Sequence, residues 1–224
     1  MSMTEDEARY DQWMAELYVE HSKEAVKEFT AECLQSYYLK DPLLASASFR
    51  SLTESRVLLP EHPSAALVFG TTAVEVGLKV VLLKPIVYGL VHDTSAAGLI
   101  TDLAVSQGGD KYRDLLFHIL SEFGGVDLRN FRRPSSTRPL WEEIRIVQER
   151  RNAVLHRAEI ASNEEAGQSV AVASVVLEEL FPAVVTKLGL HLHDSVRVCK
   201  DSGCKYGMIS LKVRCLTGAA GDGQ

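Results

Sequence analysis

Two groups of residues in this chain have the types and spacing to do chemistry. The first lies on one helical stripe. Leu140, Ile144, Val147, Arg151, Val154 and Ala158 follow one another in steps of 4, 3, 4, 3 and 4, the repeat of the buried face of an α-helix. Arg151 therefore occupies a core-facing slot. A guanidinium stays charged and carries several N–H donors, so it is costly to bury unless a carboxylate, an anion or another chain takes those donors. Asn152 and His156 lie on the same segment. These two share a face, whereas Arg151 and His156 stand about 140° apart round an ideal helix. A further polar stripe runs through Thr72, Glu75 and Lys79, spaced 3 and 4 in an otherwise apolar segment. It reads either as a solvated face with a Glu75–Lys79 pair or as a polar stripe turned toward a site.

The second group is His191, His193, Cys199 and Cys204. Two neutral imidazoles and two thiolates can hold a tetrahedral zinc. The spacing H-x-H-x5-C-x4-C matches no familiar metal motif, and Cys199 and Cys204 could equally flank a hairpin turn. The expectation is no metal and no cofactor. The sequence contains no P-loop, nucleophile elbow or G-x-G-x-x-G.

The elements that must position these residues are mainly helical. Residues 5 to about 40 predict a long amphipathic helix, with Trp13, Met14, Leu17, Tyr18, Ala25, Val26, Phe29, Cys33, Leu34 and Tyr37 on its apolar face. Asp41-Pro42 ends it, and a looser segment follows as far as Pro60 and Pro63. A central helix, apolar nearly all round, runs from near Ser64 to Pro85 and onward to Val91. A third helix spans Lys111 to Phe123, stopped by Gly124-Gly125. An arginine-rich loop, Asp127 to Arg138, leads to Pro139 and the helix that carries Arg151. A last helix covers Glu165 to Leu188. In the tail Val196 and Val198, then Ile209, Leu211, Val213 and Cys215, alternate around Asp201-Ser202-Gly203, which predicts a β-hairpin. The resulting division is 1–59 for the N-terminal helix and linker, 60–190 for the bundle, and 191–224 for hairpin and tail.

Arg151-Asn152-Ala153-Val154-Leu155-His156 matches the R-x4-H motif of HEPN domains, and Ala73 to Lys79 resembles the second-helix pattern of that family, an acidic residue followed shortly by a basic one. The resemblance covers about residues 60–190. It implies a HEPN-like antiparallel helical bundle that forms a homodimer with two motifs face to face, and a metal-independent endoribonuclease of a toxin–antitoxin or anti-phage system. On that basis His156 is the acid/base at the 2′-hydroxyl or the 5′-oxygen, and Arg151 clamps the phosphate charge. Asn152 positions substrate or His156, and Glu75 orients Arg151 or His156. RNA is the implied partner, with an antitoxin such as a small nucleotidyltransferase. Non-catalytic HEPN modules that bind nucleotide or protein are the alternative. A third possibility is a purely structural Arg151–Glu75 pair beside an ordinary surface histidine.

Composition is that of an ordinary globular chain, 46% hydrophobic and 24% charged over 224 residues. A net charge of −6 argues against bulk nucleic-acid binding. Its distribution is uneven, however: residues 1–41 carry ten acids against four bases, and residues 129–157 eight arginines against three glutamates. Four scattered cysteines predict reduced thiols. The acidic N-terminus lacks the apolar core of a signal peptide. Glu75, Lys79, Lys84 and Pro85 interrupt the apolar stretch 65–91, so a core helix is expected there and no membrane span. A cytoplasmic protein is the expectation.

Overall fold

Pro63–Val91 and Asn163–Lys187 are long, apolar helices that supply much of the buried core. The computed structural model describes residues 5–106, 113–134 and 136–200. In chain order these form α1 (Glu5–Lys40), α2 (Ser46–Leu58), α3 (Pro63–Val91), α4 (Thr94–Ser106), α5 (Arg113–Glu122), α6 (Leu140–Arg157) and α7 (Asn163–Lys187), then strands β1 (His191–His193) and β2 (Arg197–Cys199). Both α3 and α7 are long and apolar enough to cross a membrane, but 61% of the apolar window of each is buried inside the fold, as expected of core helices.

These central helices share a device. Each widens into a π-helical stretch, Gly77–Leu83 in α3 and Val175–Leu180 in α7, just before a proline, Pro85 and Pro182. Proline has no N–H to give the carbonyl one turn back and its ring crowds that group, so the helix must adjust there. In α3 the carbonyl so deprived is that of Val81. It accepts instead from the buried Tyr38 hydroxyl of α1 at 2.7 Å, and burial raises the Tyr38 pKa. The π stretches face each other across Gly77, where an added Cβ would meet Leu177 and Val176 side-chain carbons at 3.0 and 3.1 Å.

Several features differ from expectation. The segment before Pro60 is not loose: it is α2. Its buried face is Ser48, Leu52 and Ser55, so the helical repeat is carried mostly by serines, which an apolar scan passes over. Ser55 donates to the Ala66 carbonyl at 2.6 Å, and Arg56 grips Glu178 of α7 through two contacts of 2.9 and 2.7 Å. Residues 94–106 form α4, which had not been expected; the Asp93 carboxylate caps it by accepting from the Ala96 N–H at 2.7 Å. The helix expected over 111–123 is α5, Arg113–Glu122.

The expected apolar face of α1 is buried only toward its C-terminus, where Leu34 and Tyr38 reach the core. Trp13, Met14, Tyr18, Val26 and Phe29 are exposed, although Phe29 meets the His92 ring edge-on at 4.8 Å. A hairpin that was not expected precedes the predicted one. β1 pairs with β2, with His191 opposite Cys199, Leu192 opposite Val198 and His193 opposite Arg197. Asp194 and Ser195 make the turn with φ of 48° and 60°. The second strand expected at 209–215 and the turn at 201–203 lie outside the described residues.

Candidate functional site

The stripe on α6 positions the first site. Leu140, Ile144 and Val147 are fully buried against α3 and α7, as their spacing requires. One turn later the stripe reaches Arg151, whose side chain is 24% exposed and donates through Nη2 to Glu75 Oε1 on α3. Gln148, three residues earlier on the same face, donates to the same carboxylate oxygen at 3.3 Å. Arg151 Nε is buried without an acceptor. The guanidinium thus has its carboxylate at the α3–α6 seam, with its remaining donors not all engaged.

The polar stripe on α3 splits between two neighbours. Glu75 turns to α6, while Lys79 pairs with Asp102 of α4 at 2.5 Å. Of the four residues named from the motif, the structure joins Glu75 and Arg151. It leaves Asn152 and His156 exposed, and among the described residues it gives neither of them a hydrogen bond or ion pair. Helix α6 ends at Arg157, one residue past His156, through Ala158 in the left-handed conformation at φ 54°. His156 therefore sits in a last turn, beside Leu155 and Ile160, which are 51% and 82% exposed.

Charges fix the chain reversal that follows. Arg150 donates to Glu159 and to the Ile160 carbonyl at 2.9 Å, and its charge lies 2.6 Å from the Glu165 carboxylate. Arg157 adds a second contact to Glu159 at 2.8 Å. Arg157 and Arg150 together hold the Glu159 carboxyl below its usual pKa. Glu165 is lowered first by the Ser162 N–H, in the capping box that starts α7. This clamp was not anticipated from the sequence, although Ser162 with Glu165 is the signature of such a cap.

The basic segment is far less free than its composition implies. Of its eight arginines, six contact carboxylates: Arg129 with Asp114, Arg133 with Glu143, Arg145 with Glu149, Arg150 with Glu159, Arg151 with Glu75, and Arg157 with Glu159. Among the described residues only Arg132 and Arg138 lack one. The most enclosed pair is Arg133–Glu143, with side chains 13% and 2% exposed. Burial would raise the Glu143 pKa, but hydrogen bonds from Arg133, Ser136 and Gln168 and the Arg133 charge outweigh it and leave the group low. Along α6 and α5 an open groove of about 570 Å³ is lined by Phe117, Trp141, Arg129 and Arg145, among others.

The second group converges on the hairpin. Donor atoms of His191, His193 and Cys199 all lie within 4.8 Å of one another. The two imidazole rings stand nearly perpendicular, 4.7 Å between centroids. Cys204 lies outside the described residues.

No family model matches this sequence, and no curated protein or solved structure is significantly similar to it. The HEPN resemblance therefore rests on this chain's own residues.

Proposed function

We propose that this chain is a metal-independent endoribonuclease of HEPN type, acting in the cytoplasm as a two-fold dimer, in the manner of a toxin or anti-phage effector held in check by a partner. The observation that carries the reading is the half-exposed Glu75–Arg151 pair at the α3–α6 seam, with His156 exposed in the final turn five residues on. Glu75 fixes one edge of the guanidinium. Arg151 Nε is buried, so Nη1 is the nitrogen left for a phosphate oxygen. In the reaction the 2′-oxygen attacks the adjacent phosphorus and the 5′-oxygen leaves. One His156 accepts the 2′-hydroxyl proton, and the second copy's His156 protonates the leaving oxygen. Arg151 stabilises the charge that develops between these events.

Two features support the dimer. A single helix places Arg151 and His156 about 140° apart, so one subunit alone presents an incomplete site. The exposed Leu155 and Ile160 beside His156 are apolar surface that a second copy would cover. A non-catalytic module that binds nucleotide or protein is the second reading. It is favoured by one observation, the absence of any side chain orienting His156 among the described residues.

The test is cleavage of several RNA classes by partner-free wild type and by His156→Ala. Cleavage that persists in EDTA, yields 2′,3′-cyclic phosphate and 5′-hydroxyl ends, and falls by about 10²–10⁴-fold in the variant supports the ribonuclease. Intact RNA in every class sinks it and promotes the binding module, as would a strict monomer by light scattering at high micromolar concentration with RNA present.

A further inference from the structure

We infer that His191, His193 and Cys199 form a zinc-type metal site on the hairpin, supplying three ligands from among the described residues. Backbone pairing alone brings the donors together. His191 and His193 are two apart on β1 and share a face of the strand. Cys199 is the direct cross-strand partner of His191, which puts its side chain on that same face. The pairs that alternate with them, Leu192 and Val198, are apolar and pack toward the core. The three donors thus share one face of this small sheet, and Leu192 and Val198 the other.

The dimensions fit. Zinc held at about 2.0–2.1 Å by imidazole and about 2.3 Å by thiolate separates tetrahedral donors by about 3.3–3.6 Å. The three donors already lie within 4.8 Å of one another, so small side-chain rotations close the site. Perpendicular imidazole rings at 4.7 Å are compatible with two vertices of one tetrahedron. His193 is 6% exposed, while His191 and Cys199 are half-buried, so the site has a floor and one open side. Two nitrogens and a sulfur select a borderline cation such as Zn²⁺ over Mg²⁺ or Ca²⁺, which require oxygen.

The hairpin gives such a cross-link a purpose. Each strand is only three residues long, and isolated two-stranded hairpins are marginal in water. Val198 donates to the Pro42 carbonyl at 2.9 Å, which ties β2 to the α1–α2 connection. A metal bridging β1 to β2 would fasten the C-terminal end of α7 to the base of α1. This inference is independent of the ribonuclease reading.

The experiment uses tag-free full-length protein, dialysed against chelator in reducing buffer and titrated with Co²⁺ as a spectroscopic stand-in for Zn²⁺. One equivalent per chain should bind, giving tetrahedral d–d bands and a thiolate-to-cobalt charge-transfer band, and Zn²⁺ should displace it. Cys199→Ser should remove the charge-transfer band. His191→Asn should weaken binding at least tenfold, since even outer-shell partners cost about 10–100-fold. Cys33→Ser, on α1, should change nothing. His193 is left intact because its burial makes misfolding a competing explanation. Wild type without the charge-transfer band overturns the site, as does a band that survives Cys199→Ser but vanishes in Cys204→Ser or Cys215→Ser.

Discussion

Two of the arginine–glutamate pairs on helix α6, Arg133–Glu143 near its start and Arg151–Glu75 near its end, are built differently. At its start Glu143 receives Arg133 of the preceding loop through two contacts, Nε at 2.8 Å and Nη2 at 2.5 Å, and the Glu143 side chain is 2% exposed. Near its end Arg151 reaches Glu75 through one nitrogen, and both side chains keep about a quarter of their surface in solvent. The first pair is closed, with the carboxylate accepting from two further side chains. The second leaves Arg151 Nη1 open. A closed fork can only hold the loop onto the helix. An open fork at a helix seam holds the bundle and still has donors for an anion.

The largest difference should appear in stability. Glu143→Ala strands the Arg133 charge in a nearly closed environment, and breaking such a pair costs about 3–5 kcal/mol. Glu75→Ala leaves Arg151 able to reach water and should cost about 1 kcal/mol. Urea midpoints at constant m would show the ordering, and equal losses would erase the distinction drawn between the two pairs. Replacing the closed pair by apolar residues, Arg133→Met with Glu143→Leu, should recover most of the loss, because the buried carboxylate leaves together with its guanidinium.

A smaller effect lies in pH dependence, and it also separates the closed pair from its surroundings. The Glu143 pKa in the folded chain is lowered, so in the window between that value and the ordinary carboxylate value the unfolded state binds more protons. Its contribution to stability is present above the unfolded pKa and is lost as pH falls through the folded one. Glu179 runs the other way. Burial and the neighbouring Glu178 charge raise it against the pull of Arg133, so its contribution is present below the unfolded pKa and is lost as pH rises through the folded one. Glu143→Gln should flatten the loss of stability in acid, and Glu179→Gln should raise stability at neutral pH. Shifts of the same sign in both would contradict the assigned environments.

The contrast between the pairs also shows what the sequence could and could not reveal. Arg151 was legible because a charged residue in the stripe from Leu140 to Ala158 demands a partner, and Glu75 was the acid available on the most apolar helix. The closed pair was not legible. Arg133 lies in a loop with no periodicity, and Glu143, although three residues after Leu140 and four before Val147, is flanked by Glu142 and reads as part of an acidic first turn. α2 escaped for a related reason, its buried face being Ser48, Leu52 and Ser55. In the tail, the two histidines of β1 read as ligands, and strand alternation was sought further along, so the pairing of His191 with Cys199 emerged only from the structure.

The smallest expected effect on stability is the most informative for function. His156 is exposed in the last turn of α6, with no hydrogen bond or ion pair among the described residues, so His156→Ala should change stability by no more than about 0.5 kcal/mol. A histidine near a helix C-terminus gains little from the helix dipole at an exposed position, which keeps the expected change small even where the ring is protonated. Arg151→Ala should cost more, because it leaves the half-buried Glu75 with only Gln148 at 3.3 Å. Arg151→Lys should restore part of that stability but little of any RNA cleavage, since an ammonium cannot offer a planar fork to Glu75 and a phosphate at once. Thermal unfolding of the three variants beside their cleavage rates separates the roles. An Arg151→Lys protein that recovers stability and activity in equal measure would reduce the seam to a structural ion pair.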